Sequence, residues 1–275
     1  MRMKRSGRLR RTACTCAVIT AAILGICSPA AAASPATAGA YCVMDAQTGE
    51  VICQKNAYAR MEMASTTKVM TALVALENAP LSLTVRITRA EAGTEGSSMY
   101  LRAGDVYTLE DLLLGMMLVS GNDAALAVAR TVAGSEASFV RLMNEKAQEL
   151  GMCDTHFDNP HGLHSQQHYT SAYDLALLCG YAMQNAEFCR IVGCKSAGIK
   201  ELTSGEARVM VNKNRFIYAF EGADGIKIGY TRRAGRCLCA SAERNGKRMI
   251  CVLLNDADWF ASAAELLEGA FKNKR

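Results

Sequence analysis

Strand-like sequence is confined to the two ends of this chain, with a long and mainly helical block between them. Residues 40–44 and 51–54 read as two strands joined by the turn Asp45-Ala46-Gln47-Thr48-Gly49. In the last third, residues 225–230, 236–242 and 248–254 read as strands, the last two joined by Asn245-Gly246, a dipeptide that suits a tight hairpin. Two strands alone cannot support a hydrophobic core, so the first pair is expected to complete one antiparallel sheet with the last three. At 275 residues, half of them hydrophobic, the chain can build one sizeable domain or two intimate subdomains. The expected class is α/β of the α+β kind, an antiparallel sheet flanked by helices with an inserted helical subdomain.

Within the block, residues 68–77 are apolar nearly all round and predict a buried central helix opened by Ser65 and ended at Asn78-Ala79-Pro80. Thr108 is placed to cap a second helix running to about residue 119. Ser120-Gly121-Asn122 interrupts it, and a further helix follows over 123–132. Residues 135–150, closed by Gly151, and residues 171–183 predict two more, with a loop rich in His, Gln and Ser over 159–169. A last helix is expected over 261–271.

Residues 1–33 have the pattern of a secretory signal. Arg2, Lys4, Arg5, Arg8, Arg10 and Arg11 precede an uncharged stretch that ends in Ala30, Ala31, Ala32 and Ala33. The reading is a cleaved leader at 1–33 and a mature domain at 34–275, secreted or extracytoplasmic, with membrane contact only through the leader if it stays uncut. Ile26 occupies the position where a lipid-attachment box needs a small residue, so lipidation of Cys27 is not expected. Without those six basic residues, 25 basic side chains face 26 acidic ones, a net charge of −1. No basic stripe remains to neutralise phosphates, which argues against a nucleic-acid partner. Nine cysteines follow the leader, an odd number that cannot pair fully within one chain. Most lie in apolar runs and read as buried free thiols, with a Cys42–Cys53 bridge across the first hairpin left open.

Three polar motifs punctuate this framework: Ser65-Thr66-Thr67-Lys68, Ser120-Gly121-Asn122 and Lys227-Ile228-Gly229. Ser65 and Lys68 are three apart at a helix start and face the same side. The helix N-terminus favours negative charge developing on the serine, and a lysine held away from water and near other cations loses proton affinity and can take the serine's proton. Taken alone, the motif is better explained by a helix cap followed by a solvent-facing lysine. However, Lys68 lies in a segment built for burial, and a buried lysine needs a reason. Ser120 can pass a proton to a leaving amine, and the Asn122 amide can hold a peptide carbonyl; alone, both read as helix caps. Lys227 lies on a strand between Gly225 and Gly229, which let a substrate backbone approach; alone, it reads as a solvated strand lysine. In combination the three motifs supply a nucleophile, amines to move its proton and an amide to hold the substrate.

The neighbourhoods match as well. Ala64-Ser65-Thr66-Thr67-Lys68, Leu118-Val119-Ser120-Gly121-Asn122-Asp123-Ala124-Ala125, Asn159-Pro160-His161-Gly162-Leu163 and Asp224-Gly225-Ile226-Lys227-Ile228-Gly229-Tyr230-Thr231 resemble the corresponding segments of the serine-type D-alanyl-D-alanine carboxypeptidases, the low-molecular-mass penicillin-binding proteins. The resemblance runs from about residue 38 to the end. It implies the transpeptidase fold shared by penicillin-binding proteins and β-lactamases. It also implies Ser65, Lys68 and Ser120 as catalytic residues and Asn122, Lys227 and Gly229 as substrate-binding ones, with no metal and no cofactor. Ser65 would attack the carbonyl between the terminal D-alanines of a peptidoglycan stem pentapeptide, release D-alanine and pass the acyl group to water. The backbone N–H groups of Ser65 and of the strand after Lys227 would form the oxyanion hole, and β-lactam antibiotics would acylate the same serine.

Two features depart from that family. Ile228 stands where the family has threonine, and Asp256-Ala257-Asp258-Trp259-Phe260 carries no arginine where the family often has one; both groups bind the substrate carboxylate. Arg232, Arg233 and Arg236 are candidates to replace them. The chain also ends one helix after its last strand, so no C-terminal β domain or amphipathic anchor is expected. The alternatives are a β-lactamase, disfavoured because no glutamate lies between Glu149 and Glu187, and a non-catalytic or weakly active penicillin- or peptidoglycan-binding module. His156, His161, His164 and His168 crowd one loop without a His-Glu-x-x-His motif, so a metal site is not expected there, and the family makes His161-Gly162-Leu163 a structural turn.

Overall fold

A computed structural model describes residues 37–273; the expected leader lies outside the described residues. Strands β1 (Ala40–Asp45) and β2 (Val51–Lys55) form the predicted hairpin. Asp45 Oδ1 accepts the N–H of Gln47 at 3.0 Å and of Thr48 at 3.1 Å, and Gly49 takes the left-handed conformation that closes the turn (φ +72°). The block follows: α1 (Lys68–Asn78), β3 (Thr84–Arg86), α2 (Arg89–Ala92), β4 (Val106–Thr108), α3 (Leu109–Leu118), α4 (Asn122–Ala133), α5 (Glu136–Glu149), α6 (Ala172–Ala182), α7 (Ala186–Gly193), β5 (Ser196–Lys200), β6 (Ala207–Val211) and α8 (Phe216–Ala219). The chain then returns as β7 (Ala223–Thr231), β8 (Gly235–Arg244), β9 (Lys247–Leu254) and α9 (Trp259–Asn273).

The five strands form one antiparallel sheet in the order β2-β1-β9-β8-β7, so the first pair shares a sheet with the last three as expected; the structure adds that β9 pairs with β1. Alternation places Tyr41, Val43, Leu238, Ala240, Cys251 and Leu253 on one face, against Ala263, Leu266 and Leu267 of α9. Cys42, Met44, Cys239, Ile250 and Val252 face the other way, into the larger core built with α1, α4 and α6. Burial on both faces explains why β9 reads as an unbroken apolar run. Each fully buried Leu, Ile or Val contributes about 1.5–3 kcal/mol through area removed from water.

The predicted cap at Thr108 is present, and Ser171 supplies another that the sequence reading did not single out. Thr108 Oγ1 accepts the N–H of Asp111 at 3.1 Å and closes a capping box, and Ser171 Oγ accepts the N–H of Asp174 at 3.1 Å. Asn245 and Gly246 both have positive φ, as a two-residue hairpin requires. The small hairpins β3–β4 and β5–β6 and the short helices α2, α7 and α8 are additions to the sequence reading. Strands β5 and β6 each bury only one residue, so they carry no apolar alternation to read.

The first hairpin also answers the cysteine question. Cys42 lies opposite Gln54, and Cys53 lies opposite Val43. Cys42 and Cys53 therefore point to opposite faces of the sheet, and both are free thiols. Of the nine described cysteines, Cys153 is exposed and Cys53, Cys189 and Cys194 are half-buried, so the expectation of burial fits only the other five. Among the described residues no helix is long and apolar enough to cross a membrane.

Candidate active site

The first motif begins on a tight 3-10 turn, Ala64–Thr67, that runs straight into α1. The apolar face of α1 sinks its first two turns completely, so Lys68 has no exposed surface. Its Nζ lies 3.0 Å from Ser65 Oγ and donates to Asn122 Oδ1 and to the His161 carbonyl, each at 2.7 Å. The last two partners are oxygens that only accept. In the neutral amine they engage both N–H bonds and leave the lone pair for the hydroxyl of Ser65. Burial, then the charge of Lys227, hold Lys68 well below the ordinary lysine range, while Asp123 opposes the shift. The group beside the serine is thus prepared to accept a proton.

The second motif sits in the predicted break between α3 and α4. Ser120 is buried and has φ +66°, and Asn122 opens α4. The Asn122 Nδ2 donates to the Glu95 carbonyl at 2.8 Å, which fixes its oxygen toward Lys68. Ala64, just before the nucleophile, is also left-handed at φ +47°. Such conformations cost a non-glycine residue about 1–3 kcal/mol and persist where the surroundings over-determine them.

The third motif lies on β7, which packs against the Ser65 turn. A Cβ on Gly229 would stand 2.8 Å from the nitrogen of Ser65, and one on Gly225 would stand 2.9 Å from Val192 of α7. The two glycines thus admit the nucleophile turn and α7 against the strand, a tighter role than admitting substrate alone. Lys227 is buried, donates to the Ile228 carbonyl at 3.0 Å, and is pulled down to about 7 by burial and by Lys213. Ile228 turns to the opposite face and packs with the core beneath α9. The fold therefore brings Ser65, Lys68, Asn122, Lys227 and Gly229 to one place, with Ser120 at the adjoining break.

Several contributors to the site were not singled out in the sequence. The segment 159–163 does more than turn the chain: the carbonyls of Pro160 and His161 accept from Thr71 (2.6 Å) and Lys68, while Asn159 Oδ1 accepts the N–H groups of His161 and Gly162. Gly162, at φ +94°, has no room for a side chain, since a Cβ would fall 1.9 Å from the Ala64 carbonyl. Asp123 is fully buried and gathers the N–H groups of Met99 and Leu101 and the hydroxyl of Ser98, holding the wall beside Asn122. The four histidines do not converge on one another, although His156 and His168 both contact Asp158. His156 Nδ1 meets the Gln167 carbonyl, His164 meets Glu62 at 3.0 Å, His161 Nδ1 accepts from Leu163 N–H, and His168 joins Asp158 to Thr67. Among the described residues no three His, Cys, Asp or Glu side chains are grouped to hold a metal.

A groove of about 460 Å³ is lined by Lys213, Arg215, Arg236 and the start of α9. Lys213 N–H donates to the Leu118 carbonyl at 3.0 Å, which places this cationic wall beside the second motif. Of the three arginine candidates, Arg233 is paired with Glu62 at 2.7 Å, whereas Arg236 lines the groove and donates to the Ala257 carbonyl.

Comparison with known proteins agrees with this geometry. The family model described as D-alanyl-D-alanine carboxypeptidase matches residues 28–258. The chain is 36% identical to D-alanyl-D-alanine carboxypeptidase DacF of Bacillus subtilis over 237 residues, 83% of this chain and 61% of that protein. It is 35% identical to D-alanyl-D-alanine carboxypeptidase of Streptomyces sp. strain K15 over 90% of this chain and 92% of that protein. The chain thus spans about three fifths of DacF but nearly all of the K15 enzyme. Among solved structures, the Streptomyces K15 DD-transpeptidase superposes with a TM-score of 0.81 at 30% identity, covering 89% of this chain and 98% of that one. D-alanyl-D-alanine carboxypeptidase from Mycobacterium tuberculosis gives 0.82 at 31% identity, over 87% of this chain and 96% of that one. With three motifs converging on one serine and a family match over most of its length, the chain belongs to the D-alanyl-D-alanine carboxypeptidase family of serine-type penicillin-binding proteins.

Proposed function

We propose that the chain is a serine D-Ala-D-Ala carboxypeptidase that trims peptidoglycan stem pentapeptides outside the cytoplasm, with residues 1–33 as its export signal and residues 34–275 as its catalytic domain. The observation that carries this reading is the Lys68 amine, buried, lowered in proton affinity and 3.0 Å from Ser65 Oγ. Ser65 Oγ attacks the carbonyl between the two D-alanines as its proton passes to Lys68 Nζ. The N–H of Ser65 and a backbone N–H of β7 beyond Lys227 hold the oxyanion. Ser120 relays that proton from Lys68 to the departing D-alanine amine, which leaves Lys68 neutral again, and Asn122 holds the peptide. Lys227 and the cationic groove draw in the terminal carboxylate. Water then attacks the acyl-enzyme; Lys68 takes the water's proton and returns it to Ser65 Oγ as the shortened peptide leaves. A β-lactam acylates the same serine.

D-Alanine release from a peptide ending in Lys-D-Ala-D-Ala tests this reading, with Ser65→Ala as control. Release that vanishes in the control is expected. A folded protein that binds penicillin stoichiometrically but releases no D-alanine would instead be a binding module. A second reading is favoured by the match over nearly the whole K15 enzyme, whose solved structure is described as a DD-transpeptidase: the acyl group passes to an amine. Adding glycylglycine to the assay separates the two, since a transferase forms the longer peptide at the expense of hydrolysis.

A further inference from the structure

Beneath the nucleophile turn runs a chain of hydrogen bonds that the chemistry above leaves unused. Asp158 N–H donates to His168 Nδ1 at 3.0 Å, His168 Nε2 lies 2.8 Å from Thr67 Oγ1, and Thr67 Oγ1 donates to the Ala64 carbonyl at 2.8 Å. The proton positions follow from chemistry. A backbone N–H can only donate, so Nδ1 is an acceptor and the ring proton sits on Nε2. The Thr67 hydrogen is committed to Ala64, so its oxygen accepts from Nε2–H. Thr67 and His168 are both buried, and burial keeps the His168 ring neutral.

The far end of this chain is the Ala64–Ser65 peptide. Its carbonyl and the Ser65 N–H lie in one plane and point in opposite directions, so whatever holds the carbonyl also aims the N–H. That peptide follows a left-handed alanine, a conformation the backbone leaves unless it is held. Gly162 packs closely against the same carbonyl and against Thr67 Oγ1. On the opposite edge, Gly229 leaves the space at the Ser65 nitrogen free of a side chain.

We propose that His168 is a positioning residue for acylation: acting through Thr67, it fixes the Ala64–Ser65 peptide and aims the Ser65 N–H at the oxyanion. This rests on Ser65 being the nucleophile, as read above. Hydrogen bonds in series also polarise one another, so a hydrogen bond donated to the Ala64 carbonyl makes the Ser65 N–H a better donor.

Acylation by a fluorescent penicillin, scaled to the titrated active-site serine, tests the proposal together with kcat and KM for the peptide. Removing an oxyanion donor outright costs about 10²–10³ in rate, so misaiming it by Thr67→Val is expected to cost about 10–100-fold in acylation and kcat, with KM unchanged. Thr67→Ser keeps the hydroxyl and is expected to stay near wild type. His168→Gln can still donate to Thr67 and should recover most of the rate lost in His168→Leu. Unchanged acylation in Thr67→Val, a loss confined to KM, or equal rates in the Gln and Leu variants would each overturn the proposal. If the Thr67 variants do not fold, the ring nitrogens of His168 decide in the native enzyme: an Nδ1–H tautomer by 15N NMR overturns it. A wild-type protein that penicillin never acylates would defeat the underlying reading instead.

Discussion

The side-chain oxygen of Asn122 accepts a 2.7 Å hydrogen bond from Nζ of Lys68, and this contact joins the second motif to the first. Together with the His161 carbonyl it takes up both N–H bonds of a neutral amine and turns the lone pair to Ser65. The site is thereby organised around one nitrogen whose protonation state the fold controls.

Lys68→Arg keeps the length and charge of the side chain but not its ability to lose a proton. General-base catalysis contributes about 10²–10⁴, and acylation by penicillin is expected to fall by that factor. Raising the pH should not restore it. Stopped-flow acylation of the folded variant measures this, and a loss of less than about tenfold would remove Lys68 from the base role.

Lys227 should set the alkaline side of the pH profile. In the free enzyme it is pulled down to about 7, so its charge, and with it attraction for the substrate carboxylate, fades as pH rises through that value. The kcat/KM profile is expected to rise as Lys68 loses its proton and to decline above about pH 7. Lys227→Arg should shift the decline to higher pH, because a guanidinium stays charged. A profile that does not fall between neutral and strongly alkaline pH would contradict this assignment.

Arg236 is the cation best placed to take over carboxylate binding, because Arg233 is already paired with Glu62. A hydrogen bond to a charged group contributes about 1.5–3 kcal/mol, so Arg236→Ala is expected to raise KM about tenfold or more, while Arg232→Ala and Arg233→Ala change it little. Ile228→Thr would place its hydroxyl on the face that packs beneath α9, and it is expected to change KM little. Steady-state kinetics of the four variants checks the set, and equal KM values throughout would leave the carboxylate to Lys227 and Lys213.

The buried histidines should make the fold sensitive to acid. His161 is held down to about 3 by burial, Lys68 and His168. His168 is held down to about 4 by burial and by His156, His164 and Lys68, with Asp158 opposing. Both lie below the unfolded value of 6.5, so on acidification the unfolded chain takes up these protons first. The stability of the neutral rings is complete above pH 6.5 and is lost as pH falls toward 4 and then 3. At about 1.36 kcal/mol per unit, His168 alone accounts for about 3 kcal/mol over that window. Urea unfolding at about pH 7 and about pH 4.5 measures it, and His168→Gln should flatten the dependence.

Some of the site was legible because its chemistry resides in contiguous side chains. Ser65 and Lys68 lie one helical turn apart, Ser120 and Asn122 mark a helix break, and Lys227 lies on a strand, all recoverable from local pattern. His161 escaped because it acts through its carbonyl, which every residue possesses. Asp123 and His168 escaped because their partners lie more than twenty residues away or through an intermediate hydroxyl. Gly229 was read as room for substrate, whereas its nearest neighbour is the nitrogen of Ser65.

By itself the sequence determined the family, the motif residues, the sharing of one sheet by the first and last strands, and the Thr108 cap. These rest on side-chain identity and on periodicities that are local. Only the tertiary structure decided that Lys68 meets two acceptors that free its lone pair, that Ile228 packs beneath α9, and that Arg233 pairs with Glu62 while Arg236 lines a groove. Proton affinity and hydrogen-bond direction depend on what surrounds a group in space. Here those surroundings come from segments about fifty to a hundred and sixty residues apart in the chain.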